Sequence, residues 1–244
     1  MRGLTTFMTK VIDGVYPRVC PGYGCGRLSE RTGRHLCNDC RAKIELYSTS
    51  LCKLCGREIE GRVRHDFVCS VCRAAPPHYD RARAAGHFSG VLRDMVHAFK
   101  YNSALWLCAD LTDLLQGCLM AHFDANAVDV VLPVPLHPVR QRERSYNQSV
   151  LLARELARRI DRRCDTRALE RVRVTETQTH LNAARRRMNM LGAFHVARPD
   201  WVRQRCVLLV DDVMTTGATL NECARMLKKA GTRTVWAVTA GRGV

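Results

Sequence analysis

The chain has 244 residues, room for one α/β domain and a small accessory module, and its 39 Lys and Arg against 23 Asp and Glu give a formal net charge of +16. No apolar run approaches the ~20 residues of a membrane helix, and the first residues lack a compact apolar stretch ending in a small-residue cleavage site, so no signal peptide is read and a cytoplasmic protein is expected. The basic excess favours a polyanionic partner, nucleic acid or a phosphorylated small molecule, although an arginine-rich composition gives the same sum without one.

The first organised stretch is a cysteine-rich segment. Of thirteen cysteines, eight fall in four pairs: Cys20/Cys25, Cys37/Cys40, Cys52/Cys55 and Cys69/Cys72. Three pairs are C-x-x-C and the first is wider, C-P-G-Y-G-C. A short knuckle aims two thiolates at one ion, which suits tetrahedral zinc, and in a reducing compartment such clusters point to metal before disulfide. Large apolar residues are scarce here, so metal would supply the missing stability, with about two zinc ions per chain. Two connectivities fit. Sequential pairs can share an ion, or alternate pairs can; the sequential version closes the smaller loops.

Ala74-Ala75-Pro76-Pro77-His78 marks the end of this module, with expected boundaries of 1–78 and 79–244. A short strand is predicted over Ala84–Phe88. A helix follows in which Val91, Leu92, Met95, Val96 and Phe99 share a face, ending near Lys100-Tyr101, and a second helix spans about Leu105 to His122. Val128–Leu132 reads as a buried strand, followed by the proline-dense Pro133-Val134-Pro135-Leu136-His137-Pro138. Arg140, Arg142 and Arg144 then alternate before a helix with Leu152, Leu156 and Ile160 inward. These arginines either neutralise an anion or form a solvated basic helix start. Leu169–Val172 and Gly192–Val196 are further predicted strands, and the polar, basic Thr175–Asn189 between them includes Arg185, Arg186 and Arg187. A long irregular insert of this kind is usually functional.

Val207 to Thr219 reads VLLVDDVMTTGAT. Four apolar residues suit a strand buried on both faces of a parallel sheet. Asp211 and Asp212 follow at its expected carboxyl end, where ligands bind in open α/β sheets. Thr215, Thr216, Gly217, Ala218 and Thr219 then lead into an amphipathic helix, giving an anion cradle of outward N–H groups at a helix start. Two acids would repel phosphate, so they are expected to accept hydrogen bonds from a ribose diol while the loop holds the 5′-phosphate. A Walker-type site is excluded, because G-x(4)-G-K-[ST] is missing here. Val235–Val238 is the closing strand.

The run D-D-x-x-T-T-G-x-T after four apolar residues resembles the phosphoribosyl diphosphate (PRPP) signature of type I phosphoribosyltransferases. The four cysteine pairs, HFSGVLRDMVHAFKY, VLPVPLHPVRQRERSYNQ, the T-x-x-Q-x-x-L…R-x-x-N stretch and VLLVDDVMTTGATL, in that order, resemble the competence protein F (ComF) family over about Cys20 to Arg242. That resemblance implies a double zinc ribbon followed by a type I phosphoribosyltransferase fold, a mostly parallel sheet with flanking helices. It also implies PRPP bound with Mg²⁺ and a role in uptake and processing of single-stranded DNA during natural transformation, with contacts to the uptake machinery.

By the same resemblance Val134 and Pro135 belong to the diphosphate loop, and Arg144, Asn147 and Gln148 match the family's R-G-F-N-Q stretch. Gln178, Leu181, Arg186 and Asn189 match a flap that closes over substrate; Arg144 and Arg186 would act catalytically beside Asp211 and Asp212. Ser145-Tyr146 stands where the family has Gly-Phe. The acceptor is not legible, and turnover, PRPP sensing without catalysis and a salvage reaction unrelated to competence all remain open.

Overall fold

Two short helices, α1 (Asn38–Ala42) and α2 (Ser70–Ala74), lie in the cysteine-rich segment. The computed structural model describes residues 19–22, 24–30, 33–47, 50–59, 61, 67–144, 146–173 and 183–243. After the ribbons come β1 (Arg81–His87), α3 (Gly90–Tyr101), α4 (Cys108–His122), β2 (Val130–Pro133), α5 (Pro138–Arg144) and α6 (Gln148–Arg159). The chain continues with β3 (Arg163–Cys164), β4 (Leu169–Arg171), α7 (Ala183–Met190), β5 (Phe194–Val196), β6 (Cys206–Met214), α8 (Ala218–Lys229) and β7 (Thr234–Arg242).

Five strands form one parallel sheet in the order β1-β7-β6-β2-β3, while β4 and β5 pair antiparallel as a separate hairpin. The central strand β6 is apolar on both faces because both are covered. Val207 and Leu209 pack with Leu220, Cys223 and Leu227 of α8 on one side. Leu208 and Val210 pack with α3, α4 and α6 on the other, through Met95, Phe99, Leu115 and Leu152. From β2 the chain moves outward to β3 by way of α6, and from β6 it moves the opposite way to β7 by way of α8. The strand order therefore reverses between β2 and β6, and the crevice beyond their carboxyl ends is the ligand position such a reversal creates.

Several elements depart from the sequence expectation. β6 does not stop at Val210: Asp211 and Val213 keep pairing with Thr239 and Gly241 of β7, so both aspartates lie inside the strand. Continued parallel pairing stabilises this extension, a tertiary effect that a local apolar pattern does not carry. The proline-rich loop closes into α5, a short helix begun by Pro138, a residue suited to a first helical turn. β3 was not expected; its two residues pair with β2, and Cys164 packs against the core cluster that holds Val131 and Leu152.

The two ribbons sit on opposite faces of the sheet. Cys20, Cys37 and Cys40 pack with α3 and α4. Arg34 makes a two-pronged ion pair with Asp113 of α4 (2.8 Å each), and Asp110 accepts from the His35 amide at 2.9 Å. Cys52, Cys55, Cys69 and Cys72 pack on the face that carries α8. Between the ribbons, the 45–47 segment lies along the free edge of β1: the His87 amide donates to the Glu45 carbonyl (2.9 Å) and the Tyr47 amide to the Ala85 carbonyl (3.2 Å). Gly86 permits this approach, because a Cβ there would stand 2.5 Å from the Glu45 carbonyl oxygen. Among the described residues, no helix is long and apolar enough to cross a membrane.

Candidate functional site

The carboxyl end of β6 carries a compact charged cluster. Asp212 is buried and its Oδ1 lies 2.8 Å from Lys100 Nζ, contributed by the last turn of α3. Asp211 accepts from the Ser149 hydroxyl (2.8 Å) and from the Asp212 amide (2.9 Å). Burial, reinforced by the adjacent Asp212 carboxylate, pushes Asp211 up to about 7 against the opposing pull of Lys100. For Lys100, burial works against the ammonium, but the Asp212 carboxylate beside it more than offsets this and the lysine stays above its ordinary range. Lys100 therefore supplies the cation that lets two carboxylates stand next to an anion cradle.

That cradle follows at once. Thr215 and Thr216 link β6 to Gly217, which caps α8 in the left-handed region at φ 78°. A side chain there would be strained and would press on the Tyr79 hydroxyl at 3.3 Å. Ala218 and Thr219 are the first helical residues, so their amides belong to the outward N–H set at the helix start. Thr216 Oγ1 accepts from the Ala218 amide at 3.4 Å.

The neighbouring strand brings the second half of the crevice. Val134 continues β2 by donating its amide to the Val210 carbonyl (2.9 Å), which holds Val134-Pro135 beside the aspartates. Asn147 fixes this loop to α6: its Nδ2 donates to the Val134 carbonyl (3.2 Å), while its Oδ1 caps the helix by accepting from the Ser149 amide (3.0 Å). Tyr146 donates its hydroxyl to the Phe99 carbonyl and Gln148 Nε2 donates to the Lys100 carbonyl (3.4 Å). The Tyr146-Asn147-Gln148 run thus positions the end of α3, and with it Lys100, against Asp212. Beside the loop opens a cleft of about 700 Å³ lined in part by Pro135, Asn147, Arg154, Arg167 and Arg171.

Sequence reasoning brought Asp211, Asp212, Val134, Pro135 and the Thr215–Thr219 run to this place. It missed Lys100 and Ser149. Arg144 ends α5 and Arg186 lies within α7, but their side chains are outside what the structure describes, as are Gln178 and Leu181 of the expected flap.

Both cysteine groups have the geometry of tetrathiolate sites. Cys20, Cys25, Cys37 and Cys40 bring their sulfurs within 4.8 Å of one another, and so do Cys52, Cys55, Cys69 and Cys72. This is the sequential grouping, and the wide first pair belongs to it. The Cys25–Cys37 and Cys55–Cys69 sulfurs are each 3.8 Å apart, matching the ~3.8 Å that zinc–sulfur bonds of about 2.3 Å give at a tetrahedral centre. Backbone amides at Cys37, Cys40 and Cys69 donate to the sulfurs of Cys20, Cys37 and Cys52 at 3.3–3.5 Å, as thiolate ligands require.

Comparison with known proteins agrees with both halves. Residues 11–75 match a double zinc ribbon domain and residues 146–242 a phosphoribosyl transferase domain. Competence protein F of Haemophilus influenzae is 35% identical over 203 residues, covering 80% of this chain and 85% of that protein. The chain belongs to the competence protein F family. Other relatives of this ComF chain are the DNA utilization protein YhgH of Salmonella typhimurium, 33% identical over 82% of this chain and 93% of its own, and competence protein ComFC of Bacillus subtilis, 25% identical over 80% and 79%. The parallel sheet with flanking helices and the ribbons before it are the fold expected of such a protein, and the two four-cysteine groups are its structural zinc sites.

Proposed function

We propose that this protein binds PRPP together with Mg²⁺ and acts on the cytoplasmic side in the uptake and processing of single-stranded DNA during natural transformation. The observation that carries the ligand is the convergence of Asp211, Asp212, the Val134-Pro135 loop and the capped start of α8 at the strand-order reversal. In this reading the two carboxylates hold the ribose hydroxyls, the Thr215–Thr219 run takes the 5′-phosphate, and Val134-Pro135 supports the diphosphate. Mg²⁺ supplies charge neutralisation for the diphosphate; Lys100 keeps the carboxylates from repelling it. Arg144 and Arg186 are proposed to assist departure of the diphosphate. The DNA role rests on the names of the relatives and on the net charge of +16. We further propose that the ribbon module spans 1–78 and the transferase-like domain 79–244.

Calorimetric titration of the zinc-loaded protein with PRPP, with and without Mg²⁺, tests the ligand. Binding is expected only with Mg²⁺, and Thr216→Ile, which crowds the phosphate and removes a hydroxyl, is expected to weaken it roughly tenfold or more. Wild type that takes up no PRPP would overturn the assignment. Asp212→Asn should abolish binding, and transformation assays with that variant decide whether the ligand is needed for DNA uptake.

A further inference from the structure

The two tetrathiolate sets differ in how far solvent reaches them. In the second, Cys52, Cys55, Cys69 and Cys72 are each at most 7% exposed, and Leu54, Ile59, Phe67 and Val68 pack against the core cluster that holds them. In the first, Cys20, Cys37 and Cys40 are comparably buried, but Cys25 is only half-buried. A cavity of about 550 Å³ opens beside it, between the ribbon and the start of α3, lined by Gly22, Cys25, Arg27, Cys40, Lys43 and Arg93 among others.

This cavity is electropositive as well as open. Lys43 and Arg93 are exposed along it, and the Arg27 guanidinium reaches both Asp39 and the Cys25 sulfur. A thiolate that is partly exposed and flanked by cations is the reactive kind, whereas one sealed in the interior is inert.

We propose that Cys25 is a site of oxidative modification, at which hydrogen peroxide converts the first zinc site, and not the second, into a disulfide and free metal. The Cys25 thiolate attacks one peroxide oxygen; the O–O bond breaks, hydroxide leaves and a sulfenic acid forms. The Cys37 sulfur, 3.8 Å from that of Cys25, then gives its electron pair to the oxidised sulfur, and a second hydroxide leaves. The two thiolates lose two electrons, the peroxide takes them up, and solvent protons convert both hydroxides to water. Zinc is left with Cys20 and Cys40 and dissociates, and these thiolates take protons from solvent. The ribbon's other anchors do not involve the metal: Arg34 still pairs with Asp113, Asp110 still accepts from the His35 amide, and Leu36 and Ile44 stay in the core. The sheet and the second site are therefore retained.

The test treats full-length zinc-loaded protein with hydrogen peroxide, follows released zinc with a chromogenic chelator, and maps alkylated and oxidised cysteines by mass spectrometry. About one equivalent of zinc is expected to leave roughly tenfold or more faster than the other, with Cys25 in the first oxidised pair. Release of both ions at one rate overturns the proposal, and so does a first oxidised pair that lacks Cys25. Cys25→His keeps four ligands without the reactive sulfur, so zinc content should hold at about two per chain while the fast phase slows roughly tenfold or more. Arg27→Gln leaves every ligand in place and should slow the fast phase severalfold with zinc content unchanged, which keeps the test open should the histidine variant fail to hold its metal. A fast phase undiminished in Arg27→Gln, or in a Cys25→His variant that retains zinc, overturns the proposal.

Discussion

Asp211 and Lys100 set the electrostatics of the crevice in opposite senses. Asp211 titrates at about 7 when folded against 3.8 for an unperturbed carboxyl, so its proton is favoured by the fold. The stability this contributes is fully present below about pH 4 and is lost as pH rises through 7. Asp211→Asn mimics the protonated form. It should therefore gain on wild type between pH 4 and pH 7 and keep that gain at pH 8, by about 2 kcal/mol after allowing for partial solvent access. Urea denaturation at pH 4 and pH 8 checks this, and equal offsets at the two values would contradict it. Lys100 draws the Asp211 titration downward. Lys100→Met should consequently move the Asp211 midpoint above its wild-type value, as read by carboxyl NMR; an unchanged or lower midpoint would show that the lysine charge does not reach it.

At the scale of elements, the start of α6 is where backbone economy and site geometry meet. Asn147 caps the helix and holds the Val134 carbonyl at once. Asn147→Ala should cost about 1–2 kcal/mol in chemical denaturation and also lower PRPP affinity, since the loop loses its tether; a stability loss with unaltered affinity would separate the two roles. Much of this architecture was legible. The apolar run before Asp211, the proline-dense stretch after Leu132 and the spaced cysteine pairs are local patterns, and local patterns survive into the fold. Lys100 was not legible, because a lysine in the last turn of an amphipathic helix is satisfied by the helix dipole and gives no sign of a distant carboxylate. Ser149 was not legible either, because a serine in the first turn of a helix is commonplace and gives no sign of a carboxylate more than sixty residues away. The extension of β6 through both aspartates depends on β7, nearly thirty residues away in sequence, and no window around Asp211 contains it.

At the scale of the whole molecule, the ribbons clamp the sheet from both faces, and metal analysis of purified protein should find about two zinc ions per chain. A value near one would indicate that one tetrathiolate set is not competent. The second ribbon meets the sheet through two buried arginines: Arg83 donates to the Lys53 carbonyl at 3.2 Å and Arg242 to that of Cys55. Four thiolates around zinc leave a doubly negative centre, and these two guanidinium groups stand opposite it as counterions. A chain still awaiting its metal has that pair of cations facing thiols that carry no such charge. Zinc loading should thus act as a checkpoint in assembly: in refolding with zinc added late, amide protection along β1 and β7 should lag until the ion arrives, while β2 and β6 protect early.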